Sequence, residues 1–328
     1  MRIAILGAGA WGTALAAALA PRHDILLWTR NPEDRARLRE QRTSARLPGI
    51  TLPESVFVAE AADAMAGADL FIAATSTAGL DAAVRAFSPA IAEGALLWAC
   101  KGFESATGRL PHEVVGAILP ADTRRGALSG PSFALEVARG LPTALVLAST
   151  DAAFAAQATT QLNSPRLRIY SSTDVIGVEL GGAVKNVIAI AAGLADGLQL
   201  GTNARAALIT RGLSEIVRLG EALGGRPETF AGLAGLGDLV LTCTGTLSRN
   251  HEVGVQVGRG LALGEVLAQL GHVAEGVESA REVRARARHL RIDMPIVEAV
   301  CGVLFEGVPA RDAVRQLLAR EPRAESPQ

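Results

Sequence analysis

Cysteine is scarce in this chain. Cys100, Cys243 and Cys301 are the only ones in 328 residues; they lie far apart and form no C-x-x-C pair. That excludes a disulfide framework and a zinc ribbon, leaves three small buried hydrophobes, and fits a reducing cytoplasm. Aromatics are few as well, with eight Phe, three Trp and one Tyr, so stacking platforms for single-stranded nucleic acid are lacking. An excess of either charge is missing: 32 Lys and Arg face 33 Asp and Glu, for a net charge of -1. Such a balance exerts no global pull toward nucleic acid or anionic lipid. No apolar run reaches the ~18 uninterrupted residues of a membrane span. The five histidines show no metal-ligand spacing, no Ser/His/Asp set has convincing spacing, and no metal is expected. The apolar start imitates a signal peptide, but it carries a single cation, Arg2, has glycines at fixed offsets, and is followed at once by a second strand-like segment from Asp24.

What is present is length and alternation. A chain of 328 residues exceeds one average domain, and two are expected. Short apolar runs at 2–6, 25–29, 56–59, 70–74, 95–99, 126–129, 144–148 and 167–170 read as strands, with helical patterns such as 80–87 and 152–162 between them. This order predicts βαβ units and a mostly parallel, doubly wound Rossmann-like sheet, buried on both faces. After about Asp174 the pattern becomes helical, most clearly at 175–192, 205–223, 279–290 and 312–319. The expected plan is an α/β dinucleotide-binding domain over 1–175, an all-α substrate and catalytic domain over 176–320, and a polar tail over 321–328 that frays.

The first strand runs into Gly7, Gly9 and Gly12, a G-x-G-x-x-G that opens a helix. In that context Gly7 permits the tight turn, Gly9 the approach of a pyrophosphate, and Gly12 close packing of helix on strand. The helix N-terminus would hold the anion. The competing reading is a glycine turn with no ligand. At the end of the second strand stands Arg30, where an acid would favour NAD; an arginine suits a 2′-phosphate and tilts the expectation toward NADP. Glu33 and Asp34 follow Asn31-Pro32 and read as first-turn acids behind an N-cap.

Five later segments hold polar residues where a core pattern would not. Lys101 ends the strand of Trp98-Ala-Cys-Lys-Gly102, at the sheet's carboxyl edge. Gly130 and Ser132 lie in a Gly-Pro turn at another strand end. Lys185 and Asn186 interrupt an apolar helix; taken alone, Lys185 reads as a lysine snorkelling along a solvated stripe. Asp238 follows a glycine turn and reads as an N-cap, with Thr242 on the same helical face. Ser248, Arg249 and Asn250 form a phosphate-sized donor cluster or, more plainly, a loop leading into a helix after Asn250. His251 and His272 read as surface or packing residues.

Together these blocks resemble one family. GAGAWGTA, WACKG, SGPSFA, ELGGAVKNVIAIAAG, AGLGDLVLTCTGTLSRN and VAEG are similar, in order, to those of the bacterial NAD(P)-dependent sn-glycerol-3-phosphate dehydrogenases, over residue 1 to about 320. The resemblance implies a cytoplasmic homodimer that transfers a hydride reversibly between NAD(P)H and a small phosphorylated triose, dihydroxyacetone phosphate, supplying the backbone precursor of phospholipids. It implies a site in an interdomain cleft. Lys185 becomes the proton donor in reduction, Asp238 its orienting partner, and Thr242 its neighbour. Lys101 matches a residue touching cofactor and substrate. Gly130, Ser132, Asp238, Ser248, Arg249 and Asn250 match substrate contacts. Ala10, Trp11, Arg30, Ala134, Arg249, Val273 and Glu275 match cofactor contacts beside Gly7, Gly9 and Gly12. Position 10 is often Ser in the family, so Ala10 drops a hydroxyl and keeps the backbone N–H. Two rivals share parts of this pattern. The Ser-Arg-Asn cluster after GLGD argues against a 3-hydroxyacid or 6-phosphogluconate dehydrogenase, and retention of Lys101, Lys185 and Asp238 argues against a catalytically dead dinucleotide sensor or a helical dimerisation module.

Overall fold

A computed structural model describes residues 1–60, 62–105, 107–270 and 274–319, with the backbone alone at 62 and 63. All eight predicted strands form one sheet. They are β1 (Arg2–Leu6), β2 (Asp24–Trp28), β5 (Val56–Val58), β6 (Leu70–Ala73), β7 (Ala95–Trp98), β8 (Arg124–Ser129), β9 (Thr143–Ala148) and β10 (Leu167–Ser172). The spatial order is β10-β9-β8-β7-β6-β1-β2-β5. Every pairing is parallel except β8 with β9. A small antiparallel hairpin of β3 (Thr43–Ser44) and β4 (Leu47–Thr51) stands apart from the sheet. Its strands are short and carry Pro48 and Gly49, so no alternation announces it.

Burial on both faces explains the continuous apolar runs. On β1, Ile3 and Ile5 enter one core with Leu15 and Leu19, while Ala4 and Leu6 enter another with Leu80, Val84 and Phe87. Neighbouring residues of a strand point to opposite faces, so both must be apolar. Because β1 pairs with β2 on one side and β6 on the other, the strand order reverses at β1. Doubly wound sheets bind ligands at the carboxyl end of this switch point.

The helices of the first half are α1 (Ala10–Leu19), α2 (Pro32–Glu40), α3 (Thr77–Glu93), α4 (Pro111–Gly116), α5 (Ala134–Ala138) and α6 (Ala152–Leu162). Beyond β10 the described residues hold no strand. There follow α7 (Val175–Gly197), α8 (Gly201–Ala222), α9 (Pro227–Ala231), a π-helical turn at Leu233–Gly237 and α10 (Asp238–Thr244). The chain then continues with α11 (Arg249–Gly258), α12 (Leu263–Leu270), α13 (Glu275–His289), α14 (Pro295–Phe305) and α15 (Ala310–Leu318). By length and hydropathy α7 could cross a membrane, but 94% of its most apolar window is buried inside the protein, as in a core helix.

Two compact units emerge, Met1–Gly182 with Leu223–Asp238, and Ala183–Ala222 with Leu239–Gln328. This division falls later than residue 175 and returns a segment to the first unit, for reasons visible in the packing. Asp174, only 5% exposed, accepts from Gly177 N at 2.9 Å, Arg226 N at 2.8 Å and Thr229 Oγ1 at 2.6 Å. Gly181 then lets α7 touch the π-helical turn, since a Cβ there would lie 2.4 Å from the Ala234 carbonyl oxygen. The frayed tail expected at 321–328 lies outside the described residues.

In the second unit α7 and α11 cross backbone to backbone through glycines spaced by four. A Cβ on Gly193 would lie 2.1 Å from the His251 carbonyl oxygen and 2.9 Å from Gly254 Cα. One on Gly197 would lie 2.4 Å from the Val255 carbonyl oxygen and 3.0 Å from Gly258 Cα. Small residues at this spacing let helix backbones approach where any side chain would hold them apart. Elsewhere in this unit Glu215, 1% exposed, accepts from Ile296 N at 2.7 Å and Val297 N at 3.3 Å, capping α14. Burial, opposed by those two bonds, raises its pKa to about 7.

Two outcomes follow from this packing. Gly254→Ala should lower stability by about 2 kcal/mol or more, because the obstacle is backbone that cannot rotate away, and a denaturant midpoint checks it. Glu215 has a folded pKa above its unfolded one, so the protein holds its stability below the ordinary carboxylate range and loses it as pH rises toward 7. The denaturation midpoint should therefore fall between pH 5 and pH 8, and Glu215→Gln should flatten that fall.

Candidate active site

The turn from β1 to α1 is built by its glycines. Gly7 has φ +108, a conformation that side chains resist, and a Cβ there would lie 2.9 Å from the Ala74 carbonyl oxygen. A Cβ on Gly12 would lie 1.9 Å from the Gly7 carbonyl oxygen, so only glycine lets α1 sit this close to the strand. At Gly9, the N-cap of α1, a Cβ would meet nothing within 4 Å, and no side chain caps the helix. Uncapped amides beside an open glycine make an anion cradle, which the pyrophosphate of a dinucleotide fits. Ala10, Trp11 and Ala134, on α1 and α5, pack against one small cluster of Ala14, Leu47 and Val137. Arg30 is exposed just beyond β2. Asn31 caps α2 by accepting from Glu33 N at 2.8 Å and Asp34 N at 3.1 Å, which leaves both acids in the first turn as the sequence predicts.

Also in the first unit, Lys101 Nζ donates to Asp238 Oδ2 at 2.6 Å and to the Gly130 carbonyl oxygen at 3.1 Å. Ser132 Oγ donates to the same carbonyl at 3.0 Å. Gly130, at φ +137, turns that oxygen into place. Room for the lysine stem comes from Gly182, where a Cβ would lie 3.3 Å from Lys101 Cγ. The Asp238 side chain is 1% exposed and that of Lys101 is 18%. Asp238 is thus a buried carboxylate committed to a cation rather than a plain N-cap, and losing either partner would strand a charge. The π-helical turn sets its rotation: Gly237 N donates to the Gly232 carbonyl oxygen five residues back, at 3.1 Å. Such turns are rare and gather at functional sites.

In the second unit Lys185 is 7% exposed, and its Nζ donates to Thr242 Oγ1 at 2.9 Å. Lys185 is therefore held in the interior, and the solvated stripe on which a snorkelling lysine would lie is absent around it. A buried ammonium must keep hydrogen-bonded partners. Arg249 and Asn250 belong to the first turn of α11, which begins at Arg249 rather than after Asn250. Ser248 caps that helix, its Oγ accepting from His251 N at 3.2 Å. Arg249 is exposed, whereas Asn250 is buried and its Oδ1 accepts from Gly276 N at 3.0 Å. This bond brings Asn250 beside the start of α13, where Glu275 lies. Val273 and His272 lie outside the described residues.

Sequence reasoning missed two polar junctions. Glu179 on α7, 5% exposed, accepts from Trp98 Nε1 at 2.7 Å and His112 N at 2.8 Å, and its Oε2 lies 2.5 Å from His112 Nδ1. Burial pushes the Glu179 carboxyl up against the pull of those bonds. Burial disfavours charge on His112, but Glu179 outweighs it and the net shift is upward. The signal was an acid in the apolar run ELGG; its partners stand 67 and 81 residues away, beyond any local pattern. The second junction is His251, whose Nε2 lies 2.9 Å from Asp196 Oδ2.

Comparison with known proteins places these clusters in context. Residues 2–155 match the family model described as NAD-dependent glycerol-3-phosphate dehydrogenase N-terminus, and 174–315 match the corresponding C-terminus. A glycerol-3-phosphate dehydrogenase (NAD(P)+) from Aromatoleum aromaticum is 54% identical over 99% of this chain and 100% of its own length. One of the same description from Methylibium petroleiphilum is 56% identical over 99% and 98%. The crystal structure of glycerol-3-phosphate dehydrogenase from Coxiella burnetii superposes with a TM-score of 0.92 at 40% identity, covering 97% of this chain and 99% of that one. With both halves matched and identity above half along the full length, this chain belongs to the NAD-dependent glycerol-3-phosphate dehydrogenase family.

Proposed function

We propose that this chain reduces dihydroxyacetone phosphate reversibly to sn-glycerol 3-phosphate, with NADPH preferred and NADH accepted, and that Lys185 is its proton donor. The observation that carries the reading is a buried lysine on an apolar helix, bonded to Thr242. Local chain geometry supports assigning this pair and the Lys101–Asp238 pair to one reaction. Lys185 follows Gly182 by three residues on α7, and Thr242 follows Asp238 by four on α10. Residues at these spacings share a helix face.

NADPH, when bound, supplies the hydride that reaches C2 of the substrate. Gly7, Gly9, Gly12, Ala10, Trp11 and Ala134 would hold it at the β1–α1 turn, with Arg30 on its 2′-phosphate and Glu275 and Val273 as further contacts. Negative charge then grows on the C2 oxygen. Lys185 gives that oxygen its proton while Thr242 holds its Nζ in place, and Asp238 holds Lys101. Lys101 stabilises the developing charge and reaches the cofactor side. Ser248, Arg249 and Asn250 bind the phosphate, Gly130 and Ser132 contact the substrate, and fixing the phosphate removes rotational freedom before reaction. The three cysteines, all buried, suit a reducing cytoplasm. The homodimer rests on the family resemblance.

Lys185→Ala should lower turnover with NADPH and dihydroxyacetone phosphate by at least ~100-fold, the scale of general acid catalysis. Near-normal turnover would remove Lys185 from the chemistry, and absence of turnover by the wild type would remove the function. Arg30→Ala should raise KM for NADPH more than for NADH; an equal effect on both would remove the role of Arg30 in cofactor choice.

A further inference from the structure

The first turn of α11, which carries Arg249 and Asn250, is tied down at three points within the second unit. Ser248 caps it, and Asn250 is bonded to Gly276 N. The third tie is His251, the next residue, whose ring reaches Asp196 on α7 at 2.9 Å. Arg205 Nη1 donates to the same Asp196 oxygen at 2.8 Å. The side chains are 16% exposed for His251, 21% for Asp196 and 28% for Arg205, so the junction is largely out of water.

Asp196 stands three residues after Gly193, and Gly193 is where the His251 carbonyl meets the α7 backbone, within 2.1 Å of a would-be Cβ. The same residue is therefore held twice by α7, through its main chain and through its ring. The glycine contact fixes distance, whereas the ring bond fixes rotation about the α11 axis. Rotation decides where Arg249, exposed on that turn, points. Asn250 cannot fix it alone, because its bond is to a single amide on α13. The carboxylate, already oriented by Arg205, accepts from His251 Nε2–H and thereby selects that tautomer.

We infer that Asp196 is a positioning residue: through His251 it sets the rotation of the first turn of α11, so that Arg249 meets the phosphate of the substrate. This rests on the reading of Ser248, Arg249 and Asn250 as the phosphate site.

Asp196→Asn keeps the shape and removes the charge. Three quantities are measured in this variant and the wild type: kcat and KM for dihydroxyacetone phosphate, and Ki for inorganic phosphate as a competitor. KM and Ki should rise together by about tenfold, the scale of one charged hydrogen bond, with kcat within about threefold of wild type. His251→Leu should reproduce the rise, and His251→Gln, whose amide can still donate to Asp196, should largely restore both values. A merely structural role would lower kcat or the thermal midpoint while leaving KM and Ki in place, and that result overturns the inference. So does a wild-type KM in His251→Leu. Arg249→Ala separates the two levels. If it leaves Ki for phosphate unchanged, the phosphate site itself is misassigned. If it raises Ki while Asp196→Asn does not, only the positioning role fails.

Discussion

A charge withdrawn from water must find a partner, and α7 makes that constraint govern this protein. The helix is buried along nearly all its length, yet it carries Glu179, Lys185 and Asn186. An isolated buried ion would cost several kcal/mol, so Glu179 and Lys185 have each been given company. Glu179 holds Trp98 and His112, and Lys185 holds Thr242. Two glycines sit between these charges, and two more lie further along the same helix. Gly181 and Gly182 admit the π-helical turn and the Lys101 stem in one unit, and Gly193 and Gly197 admit α11 in the other. Partners can reach the charged groups because the backbone beside them is bare.

The same logic accounts for the order of elements after the sheet. Residues 223–238 return to the first unit because Asp174 and Gly181 hold them there, which brings Asp238 onto Lys101. The chain then crosses into α10 and α11, presenting Thr242 to Lys185 and the Ser-Arg-Asn turn beside Gly193. The candidate side chains are thus placed by packing decisions made several residues away from each of them.

Much of this was legible in the sequence. All eight sheet strands were visible because a strand buried on both faces must be apolar throughout, and the G-x-G-x-x-G turn because only glycine tolerates the contacts around Gly7 and Gly12. The β3–β4 hairpin was not legible, since two short strands with Pro48 and Gly49 carry no periodic signal. At the site, Lys185 announced itself as a charge in an apolar helix, but nothing local told a partnered lysine from a snorkelling one; Thr242 lies 57 residues away. His251 read as a surface or packing residue for the same reason, because Asp196 stands 55 residues before it. Local composition reveals which residues are out of place, and only the fold reveals what they are placed for.

The central claim is that Lys185 faces the reacting oxygen while the first turn of α11 holds the phosphate. A crystal structure with NADP+ and sn-glycerol 3-phosphate bound tests it most directly. The account predicts Lys185 Nζ within about 3 Å of the C2 hydroxyl, a reach that proton transfer requires, and the phosphate on Arg249 and Asn250. A phosphate bound away from that turn, or a C2 hydroxyl out of reach of Lys185, would contradict it.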